Sequence, residues 1–125
     1  MLVALALAAL GMSAQVEGQW QDFGAGPDGV RIAVNLDSIE AGAAGAEAVV
    51  RMRYPRAQAG GATQSDVVTR FSCGDRMVTR LRLVQFGAQG QVVNRPEFAE
   101  QMAPVRAAAG TPMGEVLDLV CSMAG

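Results

Sequence analysis

Few side chains of this sequence can do covalent chemistry, because its 125 residues include neither His nor Lys and all ten basic residues are Arg. Without these two residue types, the ordinary Ser–His, Cys–His and His–metal sites and the Schiff-base lysine cannot form. Two carboxylates in one cleft could still hydrolyse a glycosidic bond, but the sequence places no pair of acidic residues together. We therefore predict that the protein is not an enzyme, has no catalytic residues and binds no metal or cofactor.

Positive charge is concentrated between residues 51 and 82, which hold seven Arg and two Asp, whereas the rest of the chain holds three Arg and ten acidic residues. Five of these arginines lie in three predicted strands, at the positions that alternate with the core positions: Arg51, Arg53, Arg70, Arg80 and Arg82. Since guanidinium groups form forked hydrogen bonds with carboxylates and sulfates, these arginines are a candidate face for binding an acidic protein or a sulfated polymer. The pattern favours instead a solvated face on which cross-strand acids pair some of the arginines. The net charge of -2 argues against a nucleic-acid partner.

Cys73 and Cys121 are the only two cysteines. Their spacing excludes a CxxC redox pair, and two cysteines without His do not make a four-ligand zinc site. In a small exported chain the two thiols would form a disulfide. Closing a loop of this length stabilises the fold by roughly 4 kcal/mol at most. The alternative is two buried, unpaired thiols.

The start of the sequence has the pattern of a secretory signal. Residues 1–10 are uniformly apolar, and the small-residue run Gly11-Met12-Ser13-Ala14 follows. Ten apolar residues are too few for a bilayer core, which needs about 20. We predict a signal peptide over residues 1–14, a single domain over 15–125, and a periplasmic or secreted location without a membrane span after cleavage. No Arg precedes the apolar run, so the true start lies upstream or the amino terminus supplies the charge; the alternative is a buried N-terminal helix of a cytosolic protein.

Alternation of apolar and polar residues with a period of two predicts most of the domain to be β-strands. The Gly/Ala-rich segment Ala41–Ala46 is predicted to be a loop, and Gly87–Gly90 a hairpin connection. A short apolar segment with Trp20 and Phe23 predicts a first strand. The further predicted strands are Val30–Leu36, Val49–Tyr54, Val67–Cys73, Arg76–Phe86 and Gln91–Val93.

The end of the chain changes to the helical period. Thr111 is a good N-cap and Pro112 a good first helical residue. An apolar stripe with steps of three and four residues follows, formed by Met113, Val116, Leu117, Val120 and Cys121. The predicted fold is therefore α+β: an antiparallel meander of about five or six strands with one C-terminal helix packed on a face. The Cys73–Cys121 bridge would join the helix to the end of a central strand.

An ordered set of short landmarks resembles the surface-adhesin protein E-like family of small bacterial envelope proteins. The landmarks are Trp20, Val34-Asn35-Leu36-Asp37-Ser38-Ile39, Arg70-Phe71-Ser72-Cys73, Gly90-Gln91-Val92-Val93, Pro104-Val105, Gly110-Thr111-Pro112-Met113-Gly114-Glu115 and Cys121. The resemblance covers about residues 18–122. It implies an antiparallel sheet with a C-terminal helix, homodimer formation, and binding of host matrix and serum proteins by a lipid-anchored surface protein. This sequence differs from the family in the lipid anchor, because no lipidation Cys follows the apolar run.

Together these features predict an exported, non-enzymatic envelope protein, with an adhesin-like protein-binding module as the first hypothesis. The alternatives are a structural or stress-related periplasmic protein and a small inhibitor of a hydrolase, neither of which needs an extracellular partner.

Overall fold

A computed structural model of the chain describes residues 18–42, 45–95 and 103–124. The predicted signal peptide, residues 1–14, lies outside the described residues. No helix in these three ranges is long and apolar enough to cross a membrane. The elements are β1 (Trp20–Ala25), β2 (Arg31–Asn35), β3 (Glu40–Gly42), β4 (Gly45–Arg53), β5 (Gln64–Ser72), β6 (Met77–Phe86), β7 (Val92–Asn94), β8 (Val105–Arg106) and α1 (Pro112–Ala124).

All strand pairs are antiparallel, and the main order across the sheet is β1-β2-β4-β5-β6-β7. The short strand β3 pairs with β4, and β8 pairs with β6. The predicted fold class, an antiparallel sheet with a C-terminal helix on one face, is confirmed. Period-two alternation identified the long strands because successive side chains of a strand point to opposite sides of the sheet, and the helix side buries the apolar set.

The predicted loop Ala41–Ala46 is wrong at both ends, since β3 continues to Gly42 and β4 already begins at Gly45. Small residues carry no apolar alternation, so the pattern gave no strand signal there. The position of Gly45 has a steric reason: a Cβ atom on it would lie 2.1 Å from the carbonyl oxygen of Phe71. Glycine therefore permits the close approach of β4 to the end of β5.

The hydrophobic core lies between the sheet and α1. The sheet contributes alternate residues of β2, β4, β5 and β6 to this core, and the helix contributes its apolar stripe. The fully or nearly fully buried members are Ile32, Val34, Ala46, Ala48, Val50, Phe71, Val78, Ala107, Val116, Leu117 and Val120. We call this surface of the sheet the helix side and the opposite surface the outer face.

Thr111 caps α1 as predicted. Its Oγ1 accepts a hydrogen bond from the Gly114 backbone N–H at 3.1 Å and donates one to the Ala108 carbonyl at 2.6 Å. Gly114, a poor helix former, is required by packing, because a Cβ atom there would lie 2.0 Å from the Ala108 oxygen. The cap and this close approach together fix where the helix begins on the sheet.

The predicted disulfide between Cys73 and Cys121 is present, with a Cα–Cα distance of 5.9 Å. Cys73 directly follows β5, and Cys121 lies in the last turns of α1. The turn between β5 and β6 also contains Arg76, whose guanidinium donates a hydrogen bond to the Asp118 carboxylate at 2.7 Å. One covalent bond and one ion pair thus join the β5–β6 turn to the helix.

A bulge in β6 changes which arginines share a face. Val68 pairs with Arg82, whereas the next residue, Thr69, pairs with Arg80, so Leu81 has no partner on β5. Directly paired residues of antiparallel strands point to the same side of a sheet, and Thr69 belongs to the helix side. The prediction that Arg80 shares a face with Arg51, Arg53, Arg70 and Arg82 is therefore wrong: it lies on the helix side.

Candidate functional site

The outer face carries a buried ion pair at its centre. Arg51 Nε donates to Asp66 Oδ1 at 2.8 Å and Arg51 Nη2 donates to Asp66 Oδ2 at 2.9 Å. The side chains are only 9% and 4% exposed. Trp20, from edge strand β1, covers the pair, with its ring centre 3.7 Å from the guanidinium carbon of Arg51. Arg51 is thus occupied on its edge by a carboxylate and on its plane by an aromatic ring.

Hydrogen bonds extend this pair across the outer face. Gln64 Nε2 donates to Asp66 Oδ1 at 3.2 Å, and Arg53 Nε donates to Gln64 Oε1 at 3.3 Å. These four side chains stand on the neighbouring strands β4 and β5, where Arg51 opposes Asp66 and Arg53 opposes Gln64. The ladder register itself builds the network.

Two further arginines of the outer face also have cross-strand carboxylates. Arg70 Nε lies 3.7 Å from Glu47 Oε2, and Arg31 Nη2 lies 2.8 Å from Asp22 Oδ2. The hydrogen bond from Arg31, with a second from the Gly24 backbone N–H, holds the pKa of Asp22 below its usual value. Among the described residues, Arg53 and Arg82 of the predicted partner-binding face have no carboxylate within ion-pair distance.

The helix side contains an apolar groove of about 380 Å³ beside the start of α1. Apolar side chains of four strands form its floor: Ile32, Val50, Met52, Val67 and Val78. Met113 in the first turn of α1 closes one side, and Ala103 and Val105 at β8 close the other. Thr69, a polar residue of the floor, donates its hydroxyl hydrogen to the Val67 carbonyl at 3.1 Å. The floor is therefore apolar, but Val50 and Val67 are only 1% and 2% exposed.

The groove exists because one helix cannot cover the sheet. An α-helix with its side chains is about 10 Å wide, whereas six strands spaced about 4.8 Å apart form a sheet more than 20 Å wide. α1 packs on β1, β2 and β4 and reaches β5. Beside the start of α1, the apolar side chains that remain accessible in the groove are the half-buried Met52 and Met113 and the exposed Val105.

Two arginines and one exposed apolar residue lie at the rim of the groove. Arg80 of β6 and Arg106 of β8 line it, and within the described ranges neither makes an ion pair or a side-chain hydrogen bond. Val105 is 62% exposed, which is the highest value among the large apolar side chains described. A second cleft of about 410 Å³ shares Arg80 and Met113 and opens toward Tyr54.

The groove can bind but has little chemistry of its own. Its described lining residues include no carboxylate and no thiol. In the described part of the chain, no three His, Cys, Asp or Glu side chains come close enough to hold a metal ion. What the lining offers is apolar contact area and two guanidinium groups.

Sequence reasoning found the residues of the floor, as core positions of strands, but missed the groove. One feature of the sequence could have indicated the groove: the single short helix is too narrow to cover five or six strands. The position of Arg80 gave no such signal, because a bulge of one residue leaves no mark in an alternating run.

No protein-family model, curated protein or solved structure matches the chain. The fold and the groove define a small disulfide-closed sheet with one helix and an open apolar site. The resemblance to the surface-adhesin protein E-like family stays a prediction.

Proposed function

We propose that the protein is an exported, non-enzymatic binding module of the cell envelope that holds an apolar molecule in the helix-side groove. The observation that carries the proposal is the groove itself, an open recess of about 380 Å³ floored by strand side chains. Small-molecule sites are typically apolar clefts of about 300–1,000 Å³ with a few polar groups at defined places. Val105, exposed at the rim, adds apolar area that a bound molecule would cover.

Two features support export. The Cys73–Cys121 disulfide is of the kind that persists in oxidising compartments. Residues 1–14 have the apolar run and small-residue end of a secretory signal. In the envelope, such a module would bind its ligand outside the reducing cytoplasm.

An uncharged fluorescent probe, N-phenyl-1-naphthylamine, tests the binding site. We expect its fluorescence to rise and shift to the blue with the folded protein, and Val105→Gln to weaken binding several-fold. Met123→Gln is the matched control, because Met123 is 53% exposed but does not line the groove. A probe that gains no fluorescence, or equal losses in both variants, would contradict the proposal.

Docking of an acidic protein or sulfated polymer on the outer face is a second candidate, and it is the adhesin-like alternative. Arg53 and Arg82 favour it, because neither has a carboxylate partner among the described residues. Retention on a heparin column should fall in the Arg53→Gln/Arg82→Gln double variant. Unchanged retention would leave the outer face as a solvated surface.

A further inference from the structure

We propose, resting on the groove-binding function above, that the natural ligand is a fatty acid whose carboxylate pairs with Arg80. The volume of about 380 Å³ lies near the lower end of the range for small-molecule sites, which suits one acyl chain better than a two-chain lipid. The apolar floor provides the surface for the chain. The rim provides the positive charge for the head group.

The cross-strand neighbour of Arg80 distinguishes it from Arg51 and Arg70 of the outer face. Arg51 and Arg70 each oppose or adjoin a carboxylate of a neighbouring strand, Asp66 and Glu47. Arg80 instead pairs with Thr69, whose hydroxyl is bonded to a backbone carbonyl. Asp28 lines the adjoining cleft together with Arg80, but no carboxylate of the described residues lies within ion-pair distance of Arg80, so an anion brought by the ligand can pair with it.

The position of Arg80 also sets the orientation of the ligand. Arg80 lines both the groove and the adjoining cleft, so it stands where the two recesses meet. A carboxylate there can accept the forked pair of N–H groups of Arg80, while its chain lies between the half-buried Met113 and the exposed Val105. Arg106 also lines the groove, but it pairs with Met77, which has outer-face parity, so Arg80 alone is assigned to the head group.

This arrangement predicts a dependence on both chain length and head group. Each methylene buried on the floor should tighten binding about fourfold until the groove is filled. The charged head should add about tenfold over an uncharged head of the same size, because hydrogen bonds to charged groups are the stronger ones. An amine head should bind more weakly than either, since it would meet the guanidinium group of Arg80.

The experiment is displacement of N-phenyl-1-naphthylamine from the full chain by dodecanoate, dodecanol, dodecylamine and dodecyl phosphate, below their aggregation concentrations. We expect dodecanoate to bind about tenfold more tightly than dodecanol. That preference should fall below about threefold in Arg80→Gln, where the charge-assisted hydrogen bonds are lost. Arg82→Gln is the matched control: it removes the same charge from the same strand, but on the outer face. Its preference should equal that of the unaltered protein.

The outcomes separate this inference from the proposed function. Equal binding of dodecanoate and dodecanol would overturn the fatty-acid assignment while leaving an apolar site in place. Failure of the probe itself to bind would overturn both, and would assign the groove to a face covered by another segment or protein. Equal losses in Arg80→Gln and Arg82→Gln would overturn the pairing with Arg80. Tighter binding of dodecyl phosphate would replace the fatty acid by a phosphate-headed amphiphile.

Discussion

Three arginines of the outer face differ from Arg80 of the helix side in the residues that lie beside them. On the outer face, Arg51, Arg70 and Arg31 each lie beside a carboxylate from a neighbouring strand. On the helix side, Arg80 stands at the edge of an apolar groove with no acidic partner among the described residues. The cross-strand neighbour, rather than the density of arginines along the chain, decides which guanidinium is available to a partner.

The difference comes from register. On the outer face the ladder between β4 and β5 brings Arg51 opposite Asp66, and the charge is neutralised inside the protein. The bulge at Leu81 moves Arg80 out of that pattern. One inserted residue therefore places Arg80 on the helix side, where no carboxylate of the described residues lies within ion-pair distance of it.

The largest expected effect tests whether the Arg51–Asp66 ion pair of the outer face stabilises the fold. Asp66→Asn should leave the buried guanidinium of Arg51 without its counter-charge and lower the free energy of unfolding by about 3–5 kcal/mol. Urea unfolding followed by Trp20 fluorescence measures it. The double change Arg51→Met/Asp66→Leu should recover most of that stability, because it removes the unpaired charge and keeps apolar packing.

Glu47→Gln is the matched control for Asp66→Asn. The Arg70–Glu47 pair is longer, at 3.7 Å, and its side chains are 34% and 38% exposed. Its loss should change the free energy of unfolding by less than about 1 kcal/mol. Equal effects of the two substitutions would show that burial does not distinguish these ion pairs.

The next effect concerns the helix side, which depends on the disulfide for the position of α1. Cys73→Ser/Cys121→Ser should lower the free energy of unfolding by about 2–4 kcal/mol. It should also weaken probe binding, because Met113 of α1 forms one side of the groove. The outer-face ion pair does not involve α1, so the fluorescence of Trp20 in the folded protein should stay unchanged. A shifted Trp20 spectrum would show that the two faces are coupled.

Intact-mass measurement of the exported protein with and without reductant checks the bridge and the predicted signal together. We expect a mass lacking residues 1–14 and a disulfide in the non-reduced sample. A mass that retains residues 1–14, or two free thiols, would contradict export.

The sequence was sufficient for the fold because the long elements have strong local signals. The alternation in Val67–Cys73 identified Val67, Thr69 and Phe71 as side chains that β5 buries, and Thr111-Pro112 marked the start of α1. The cysteine count and spacing led to the correct pair. Strand β8 was missed because Val105–Arg106 is too short to show any period.

The candidate site was much less predictable. The five arginines were found, but their partners were not, because cross-strand neighbours depend on register between segments that are distant in sequence. Arg51 opposes Asp66 only once β4 and β5 are aligned, and Arg80 changes face only through the bulge. The groove likewise depends on where a single helix lies across the sheet.

The smallest expected effect concerns the exposed edge of the outer face. The pKa of Asp22 lies below its usual value of 3.8, chiefly because Arg31 donates a hydrogen bond to the carboxylate. A carboxyl whose pKa is lower in the folded protein stabilises the fold above pH 3.8, and this contribution is lost as the pH falls through the folded-state pKa. Since both side chains are more than half exposed, the change in stability should be well below about 1 kcal/mol.

Carboxyl chemical shifts followed by NMR between neutral and acidic pH measure this effect at Asp22. In Arg31→Gln the pKa of Asp22 should move toward its usual value but stay below it, because the Gly24 backbone N–H still donates to Asp22 Oδ1 at 2.7 Å. High salt should shift it in the same direction, since exposed pairs are screened. An unchanged pKa in Arg31→Gln would show that the edge pair adds nothing in solution. The neutralised part of the outer face would then shrink to the buried Arg51–Asp66 pair and its exposed neighbour Arg70–Glu47, and the contrast with the helix side would depend on burial.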